Sequence, residues 1–409
     1  MRWMPRSQDP SDVSYFAITN NRARYIPFGI KQADRLHHMY VIGKTGTGKS
    51  TLLETLLAQD IDAGRGCCLI DPHGDLAERV VARVPEHRRA DLTYVNIADP
   101  DQPWRYNPLT FVPRDKRSLV ASGMLEVFQK MWPAAWGQRM EHILRNTLLA
   151  LLEHPDTTLA DVSRLYNDKA FRAKIVTGIK NDQVHAFWKK EFPHYNPRYL
   201  AEAVAPIQNK VGALLADPRL LRFLTESDNR LRLRRLMDER RILAINLAKG
   251  VIGEDSAKLL GGLLVTAMGL AAFTRADIAP AERRPFFLYV DEFQSFTTLS
   301  VANMIAELRK YRIGLVLAHQ YLHQLELDVR HAVIGNAGTL VAFRLGAEDA
   351  VIIARELAPR FTAEDLLLLA NHHLYLKLMI DNAPSMPFSG ISSQPDSAVR
   401  ARTGHSASR

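Results

Sequence analysis

A chain of 409 residues is too long for one ordinary domain and predicts two or three. Its 47% hydrophobic and 24% charged residues match a globular protein with a large core, and the apolar run Leu259–Phe273, broken by Gly261, Gly262 and Gly269, falls short of the roughly 20 residues a bilayer span requires. The formal net charge of +9 is the usual electrostatic mark of a nucleic-acid partner, although a basic balance alone names none.

In chain order, no signal-peptide apolar region follows Met1-Arg2-Trp3-Met4-Pro5. Residues 12–28 alternate loosely around Asn20-Asn21 and predict a hairpin, so residues 1–38 form an N-terminal segment. Met39–Ile42 is a short buried strand, and helical spacing opens at Thr51-Leu52-Leu53. Between them stands Gly43-Lys44-Thr45-Gly46-Thr47-Gly48-Lys49-Ser50, the G-x-x-x-x-G-K-S pattern of a phosphate-binding P-loop, with Thr51 completing it. Glycine at 43, 46 and 48 lets the backbone turn its N–H groups inward toward phosphate oxygens, and the following helix adds its positive dipole end. Lys49 would neutralise β- and γ-phosphates, and Ser50 would ligand Mg²⁺.

Cys67-Cys68-Leu69-Ile70 reads as a buried strand ending at Asp71-Pro72-His73-Gly74-Asp75, with Asp71 at the edge where ligands of open α/β sheets gather. The adjacent cysteines point to opposite faces, which predicts free buried thiols in a reducing cytoplasm rather than a disulfide. A helix over 76–84 and a strand over 92–97 follow. From 116 to 236 helical periodicity dominates, as in Met140, Ile143, Leu144, Thr147, Leu148 and Leu151, and predicts an all-helical inserted domain. This stretch carries Trp188-Lys189-Lys190, Tyr195, Arg198 and the run Arg230–Arg235. Each basic residue alone reads as solvated helix surface; together they point to phosphate-backbone contact.

The α/β pattern resumes at strand 241–247, and the ATPase core is expected over 39–115 and 237–382. Phe287-Leu288-Tyr289-Val290-Asp291-Glu292 has the form of a Walker B strand, with Asp291 completing the Mg²⁺ shell and Glu292 polarising the attacking water. A helix over 300–310 leads to strand 313–318 and His319-Gln320. An amide there can bond both the water and the γ-phosphate, yet position alone leaves Gln320 equally well an ordinary polar residue. His319 and His73 read as structural, and no cluster has zinc-ligand spacing. Two more strands are expected, over 339–343 and 374–380. Residues 383–409 are rich in Ser, Pro and Gly and read as a disordered tail. Guanine specificity is disfavoured, because the nearest match to N-K-x-D, Asn209-Lys210-Val211-Gly212, lacks the acid; ATP is expected.

With these residues in place, the chain resembles the HerA/FtsK superfamily of DNA-pumping ATPases, and within it the conjugative coupling proteins of type IV secretion (TraG/TraD-like). The resemblance is carried by 43–50, Ile70–Asp75, Asn246–Gly250, Asp291-Glu292-Phe293, Arg309-Lys310-Tyr311 and Ala318-His319-Gln320. It implies a RecA-like P-loop sheet, fold class α/β, with an inserted all-helical domain and the Gln320 strand between the Walker A and Walker B strands. It also implies ATP and Mg²⁺ as cofactors, DNA as partner, homo-hexameric rings, and Gln320 as a nucleotide sensor. Coupling proteins usually carry N-terminal membrane helices and HerA motors a β-barrel, and neither pattern is legible here. A cytoplasmic protein, brought to the inner membrane by a partner, is therefore expected. FtsK-type motors place an arginine in the strand after the sensor; Leu340 stands there, leaving Arg344, Arg309 and Arg312 as candidates for a finger reaching a neighbouring subunit. The expected activity is ATP-driven DNA translocation. Its rivals are a nucleotide-gated recruiter of a relaxase, nuclease or secretion-channel protein, a HerA-type DNA-processing motor, and a P-loop kinase.

Overall fold

The computed structural model describes residues 9–20, 25–110, 112–226 and 231–395. Part of the expected hairpin turn, Arg230, and the chain beyond 395 lie outside these residues. The described chain divides into two compact units: one of residues up to 95, 233–247 and from 271 onward, the other of residues 96–232 and 248–270.

The first unit is built on strands β1 (Val13–Thr19), β2 (Pro27–Lys31), β3 (Met39–Ile42), β4 (Gly66–Asp71), β5 (Leu92–Asn96), β6 (Ile242–Asn246), β7 (Phe286–Val290), β8 (Ile313–His319), β9 (Thr339–Ala342), β10 (His373–Lys377), a small hairpin of β11 (Met379–Ile380) and β12 (Ala383–Pro384), and β13 (Phe388–Ser392). Eleven of these form one sheet in the order β2-β1-β13-β10-β9-β3-β8-β7-β4-β6-β5. β3 pairs in parallel with β8 and β9, β7 with β8 and β4, and β4 with β6. Every residue of β3, β4, β6, β7, β8 and β9 is buried. Continuous apolar runs are what a parallel sheet covered on both faces demands. β10, β13, β1 and β2 pair antiparallel, and β10 buries alternate residues.

Residues 383–395, expected as the start of a disordered tail, are instead structured, with β13 inserted between β1 and β10. Its polar composition hides it: the strand is held by backbone bonds on both sides and needs few apolar side chains. Phe388 packs edge-on to Phe28, which packs edge-on to Phe16. A Cβ at Gly390 would lie 2.9 Å from the Phe28 ring, so the glycine is a packing requirement and no sign of a loose chain.

A buried ionic network ties the P-loop helix, Lys49–Asp62, to the sheet. Asp60 accepts from Arg35 Nη1 (2.5 Å) and Nη2 (2.8 Å), Arg65 Nη1 (3.0 Å) and the Tyr289 hydroxyl (2.6 Å). Burial pushes its pKa up, but Arg35 and Arg65 more than offset that and hold it below the usual carboxylate range. Cys67 and Cys68 are buried free thiols.

The second unit is helical: Arg117–Met131, Gln138–Leu152, Asp161–Asn167, Lys169–Gly178, Asp182–Ala186, Pro197–Leu215 and Pro218–Thr225, with a π-helical turn at Phe187–Glu191. It starts at 96 rather than 116, and residues 248–270 of a distant stretch group with it. That second segment was illegible because the helix Glu254–Phe273 is apolar on most sides, and periodicity does not say which body it joins. Helices 117–131 and 254–273 meet closely: a Cβ at Gly123 would lie 2.7 Å from Thr266 Cγ2. By length and composition Glu254–Asp277 could cross a membrane, but 67% of its apolar window is buried within the protein.

Much of the basic character expected of this stretch is internally paired. Arg234 binds Asp238 and Asp277, Arg235 binds Glu239, and Arg198 binds Glu202. Lys189 and Lys190 are exposed, whereas Trp188 is buried and donates from Nε1 to the Asn146 carbonyl (3.2 Å).

Candidate active site

The parallel register brings the C-terminal ends of β3, β8, β9, β7 and β4 to one edge. Ile42 stands beside His319 on one side and Ala342 on the other, so the loop leaving β3 runs between residues 319–320 and 343–344. Gly43 N–H donates to the His319 carbonyl (3.3 Å) and Lys44 N–H to the Arg344 carbonyl (2.9 Å). A Cβ at Gly43 would sit 2.6 Å from Phe343 Cβ. Gly46 (φ 76°) and Gly48 (φ 123°) occupy the left-handed region that favours glycine. Thr47 Oγ1 closes the turn on the Lys44 carbonyl at 2.7 Å, and the Thr47 carbonyl accepts from His372 N–H at 2.8 Å. No side chain caps the N-terminus of the helix that begins at Lys49, so its first amides are available to an anion.

Lys49 is buried and donates to the carbonyls of Gly43 (2.6 Å) and Lys44 (3.1 Å). Burial lowers its pKa, and the nearby Asp291 and Glu292 act in the opposite sense. Ser50 and Thr51 follow in the helix, both partly exposed. At the end of β7, burial pushes the Asp291 carboxyl up to about 7, and the charges of Glu292 and Asp71 add to the effect. That excess of negative charge is what a divalent cation would relieve. Among the described residues no trio of His, Cys, Asp or Glu is grouped to hold a metal. The donor set instead suits Mg²⁺, which takes one or two protein oxygens beside substrate phosphates and water; Ser50 and Asp291 are the residues that could supply them.

Glu292 adopts φ 48°, a strained backbone for a side chain of this size, and its N–H bonds Asp291 Oδ1 (3.0 Å). Its two carboxylate oxygens are separately held: Oε1 accepts from Gln320 Nε2 and Oε2 from Gln294 Nε2. Gln320 Oε1 in turn accepts from Thr45 Oγ1 at 2.9 Å. Gln320 therefore links the P-loop to Glu292 directly, an arrangement that position in the sequence left open. Gln294 was missed; standing two residues past the paired acids, it gave no signal of its own.

Asp71 lies at the same edge, but its oxygens accept from the N–H groups of His73 and Ala77, both at 2.9 Å, the second an amide in the first turn of the helix Asp75–Arg83. His319 is buried with Nε2 3.2 Å from the Tyr40 hydroxyl; burial, reinforced by Lys49, pushes its pKa down to about 3, so it stays neutral. Of the three candidate arginines, Arg344 adjoins the P-loop of its own chain, and its Nη1 donates to the Leu369 carbonyl (3.5 Å). Arg309 and Arg312 precede β8, about 20 Å of strand from Gln320. They could serve only a nucleotide bound to another copy.

A family model described as the type IV secretion-system coupling protein DNA-binding domain matches residues 24–356. Among solved structures, the unbound bacterial conjugative coupling protein TrwBdeltaN70 is similar with 16% identity and a TM-score of 0.63, over 90% of this chain and 87% of that one. Plasmid coupling protein TrwB in complex with the ATP analogue ADPNP gives 16% identity and 0.62, over 96% and 91%. VirB4 of Thermoanaerobacter pseudethanolicus gives 12% identity and 0.60, over 95% and 98%. These likenesses establish a shared fold. No curated protein matches the sequence.

Proposed function

We infer, for a chain that belongs to the type IV secretion-system coupling protein DNA-binding domain family, an ATP-dependent DNA translocase of conjugative transfer. The observation that carries this reading is the convergence of Lys49, Ser50, Asp291, Glu292 and Gln320 on one sheet edge, joined through Thr45. Similar proteins supply the ligands by analogy: TrwB is described in complex with ADPNP, and with ADP and Mg²⁺.

Lys49 exchanges its two carbonyl acceptors for phosphate oxygens, and the loop amides with the helix N-terminus orient the same group. Bound Mg²⁺, held by Ser50 and Asp291, would supply charge neutralisation across the phosphates. Gln320, bonded to both Thr45 and Glu292, registers whether the loop is filled. On release from Gln320 and Gln294, Glu292 accepts the proton of an attacking water, work worth about 10²–10⁴ in rate. Ring hexamers, with Arg309 or Arg312 reaching the next subunit and DNA in a central channel, complete the reading. DNA contact is chiefly to phosphates and so falls with salt.

The test is steady-state ATP hydrolysis with single-stranded, double-stranded or no DNA at two salt concentrations, with Lys49→Ala and Glu292→Gln as controls. Stimulation that fades with salt, lost in both variants, supports the motor. Robust hydrolysis indifferent to every DNA would overturn it. The pairing of Arg198, Arg234 and Arg235 with carboxylates favours a second reading, a nucleotide-gated recruiter of a relaxase, nuclease or channel protein. Turnover stimulated by such a protein and not by DNA distinguishes it.

A further inference from the structure

The helical unit contains a cavity of about 530 Å³, inside the size range of small-ligand sites, that has no part in nucleotide hydrolysis. Its chemistry is unusual for a gap between helices. Phe192 is buried and forms part of the wall, while Tyr166 and Tyr195 are partly exposed. The rings of Tyr166 and Phe192 are near-parallel, 6.2 Å apart at 23°, and Tyr195 meets Phe192 edge-on at 6.2 Å. Two cations join them. Arg172 Nη1 donates to the carbonyls of Leu165 (3.0 Å) and Tyr166 (2.9 Å), which fixes the guanidinium 5.5 Å from the Phe192 centroid. Lys169 is exposed and has no ion-pair partner among the described residues, unlike the paired arginines elsewhere in this unit. Gln208 adds an amide, and no described lining residue is a carboxylate. The π-helical turn Phe187–Glu191 shortly precedes Phe192 and Tyr195, and such turns often mark functional sites.

Aromatic faces, two cations and no carboxylate among the described lining residues suit a flat, anionic ligand better than a cationic one; the nearby Glu191, outside the lining, accepts from the Tyr195 hydroxyl. We propose that this cavity receives one unpaired nucleotide of single-stranded DNA, its base stacked on Tyr195 and its phosphate held by Lys169 and Arg172. The proposal rests on the DNA reading above and narrows it to a stacking site in the helical unit. Stacking tolerates any base, so contact here is independent of sequence. It requires the base to be unpaired, so the site discriminates strand state, a distinction that phosphate contacts alone make poorly.

The experiment measures binding of the whole chain to a fluorescein-labelled oligothymidylate by anisotropy, beside an abasic oligonucleotide of equal length and a duplex. Tyr195→Ala is expected to weaken oligothymidylate binding roughly 5- to 150-fold, the range for loss of one stacked base, while Tyr195→Phe restores it. Lys169→Ala should lower the slope of log affinity on log salt by about 0.7, the increment for one phosphate of a single strand. Neither tyrosine variant should alter binding of the abasic strand, and unchanged circular dichroism secures the fold. Equal affinity of wild type and Tyr195→Ala for oligothymidylate overturns the proposal and leaves the DNA reading standing. No binding of any nucleic acid overturns both. Competition by a peptide with a free C-terminal carboxylate, without any effect of the base, overturns it in favour of a protein ligand.

Discussion

Replacing Asp60 by Asn tests whether the buried network holds the P-loop helix to the sheet. Asp60 is fully buried and accepts four hydrogen bonds, three of them from guanidinium groups. The amide keeps one acceptor oxygen and turns an NH₂ toward donors that need an acceptor. Arg35, itself buried, is left without its counter-ion, and removing one partner of such a pair costs about 3–5 kcal/mol. Urea unfolding followed by far-ultraviolet circular dichroism at pH 7 should show that loss. The double variant Asp60→Leu with Arg35→Met should recover only part of it: the unpaired guanidinium is removed, but the buried Tyr289 hydroxyl and Arg65 still lose their acceptor. Acid supplies a second check. The folded pKa of Asp60 lies below its unfolded value, so its contribution is present above the unfolded pKa and lost as pH falls through the folded one. The gap between wild type and Asp60→Asn should therefore narrow in acid. A loss below about 1 kcal/mol at pH 7, or a gap that widens in acid, refutes the reasoning.

Glu292→Gln faces two amide donors with one acceptor oxygen, so it should cost about 1–3 kcal/mol in the nucleotide-free protein, and a compensating Gln294→Glu should return part of it in thermal melts. Gly43→Ala places a methyl 2.6 Å from Phe343 Cβ and 3.4 Å from its Cα, and overpacking of this kind should cost about 1–3 kcal/mol and displace the loop, read as weaker binding of a fluorescent ATP analogue. Ending the chain at Ser385 removes β13 and bares facing edges of β1 and β10. The shortened protein should aggregate on mild heating, as measured by light scattering, and an unchanged melting curve would contradict the sheet order.

The P-loop and the paired acids were legible because each is a local pattern whose spacing reports its own geometry; Gln320 was singled out only through the family resemblance, since its position alone left it open. The buried parallel strands, which need unbroken apolar runs, were legible too. β13 was not, since a strand flanked on both sides draws its stability from backbone bonds that composition does not reveal. Nor was the role of Gln294, which depends on a backbone turn at Glu292 into the left-handed region. The neutralised basic run was half-legible: Arg234 with Asp238 and Arg235 with Glu239 stand four residues apart, a spacing that favours pairing on a helix, whereas Asp277 joins Arg234 only in three dimensions.

The central strand of the site also has a history in time. β3 is paired on one side by β8 and on the other by β9, and about 300 residues of chain separate Ile42 from Ala342. At a synthesis rate of about 5–20 residues per second, the strand leaves the ribosome some 15–60 seconds before its second neighbour exists. For most of that interval an apolar segment with two open edges waits, whereas both stretches of the helical unit, 96–232 and 248–270, are made before either neighbour. The nucleotide site is thus among the last parts of the molecule to close, and the nascent chain is a natural client for chaperones that shield exposed strands.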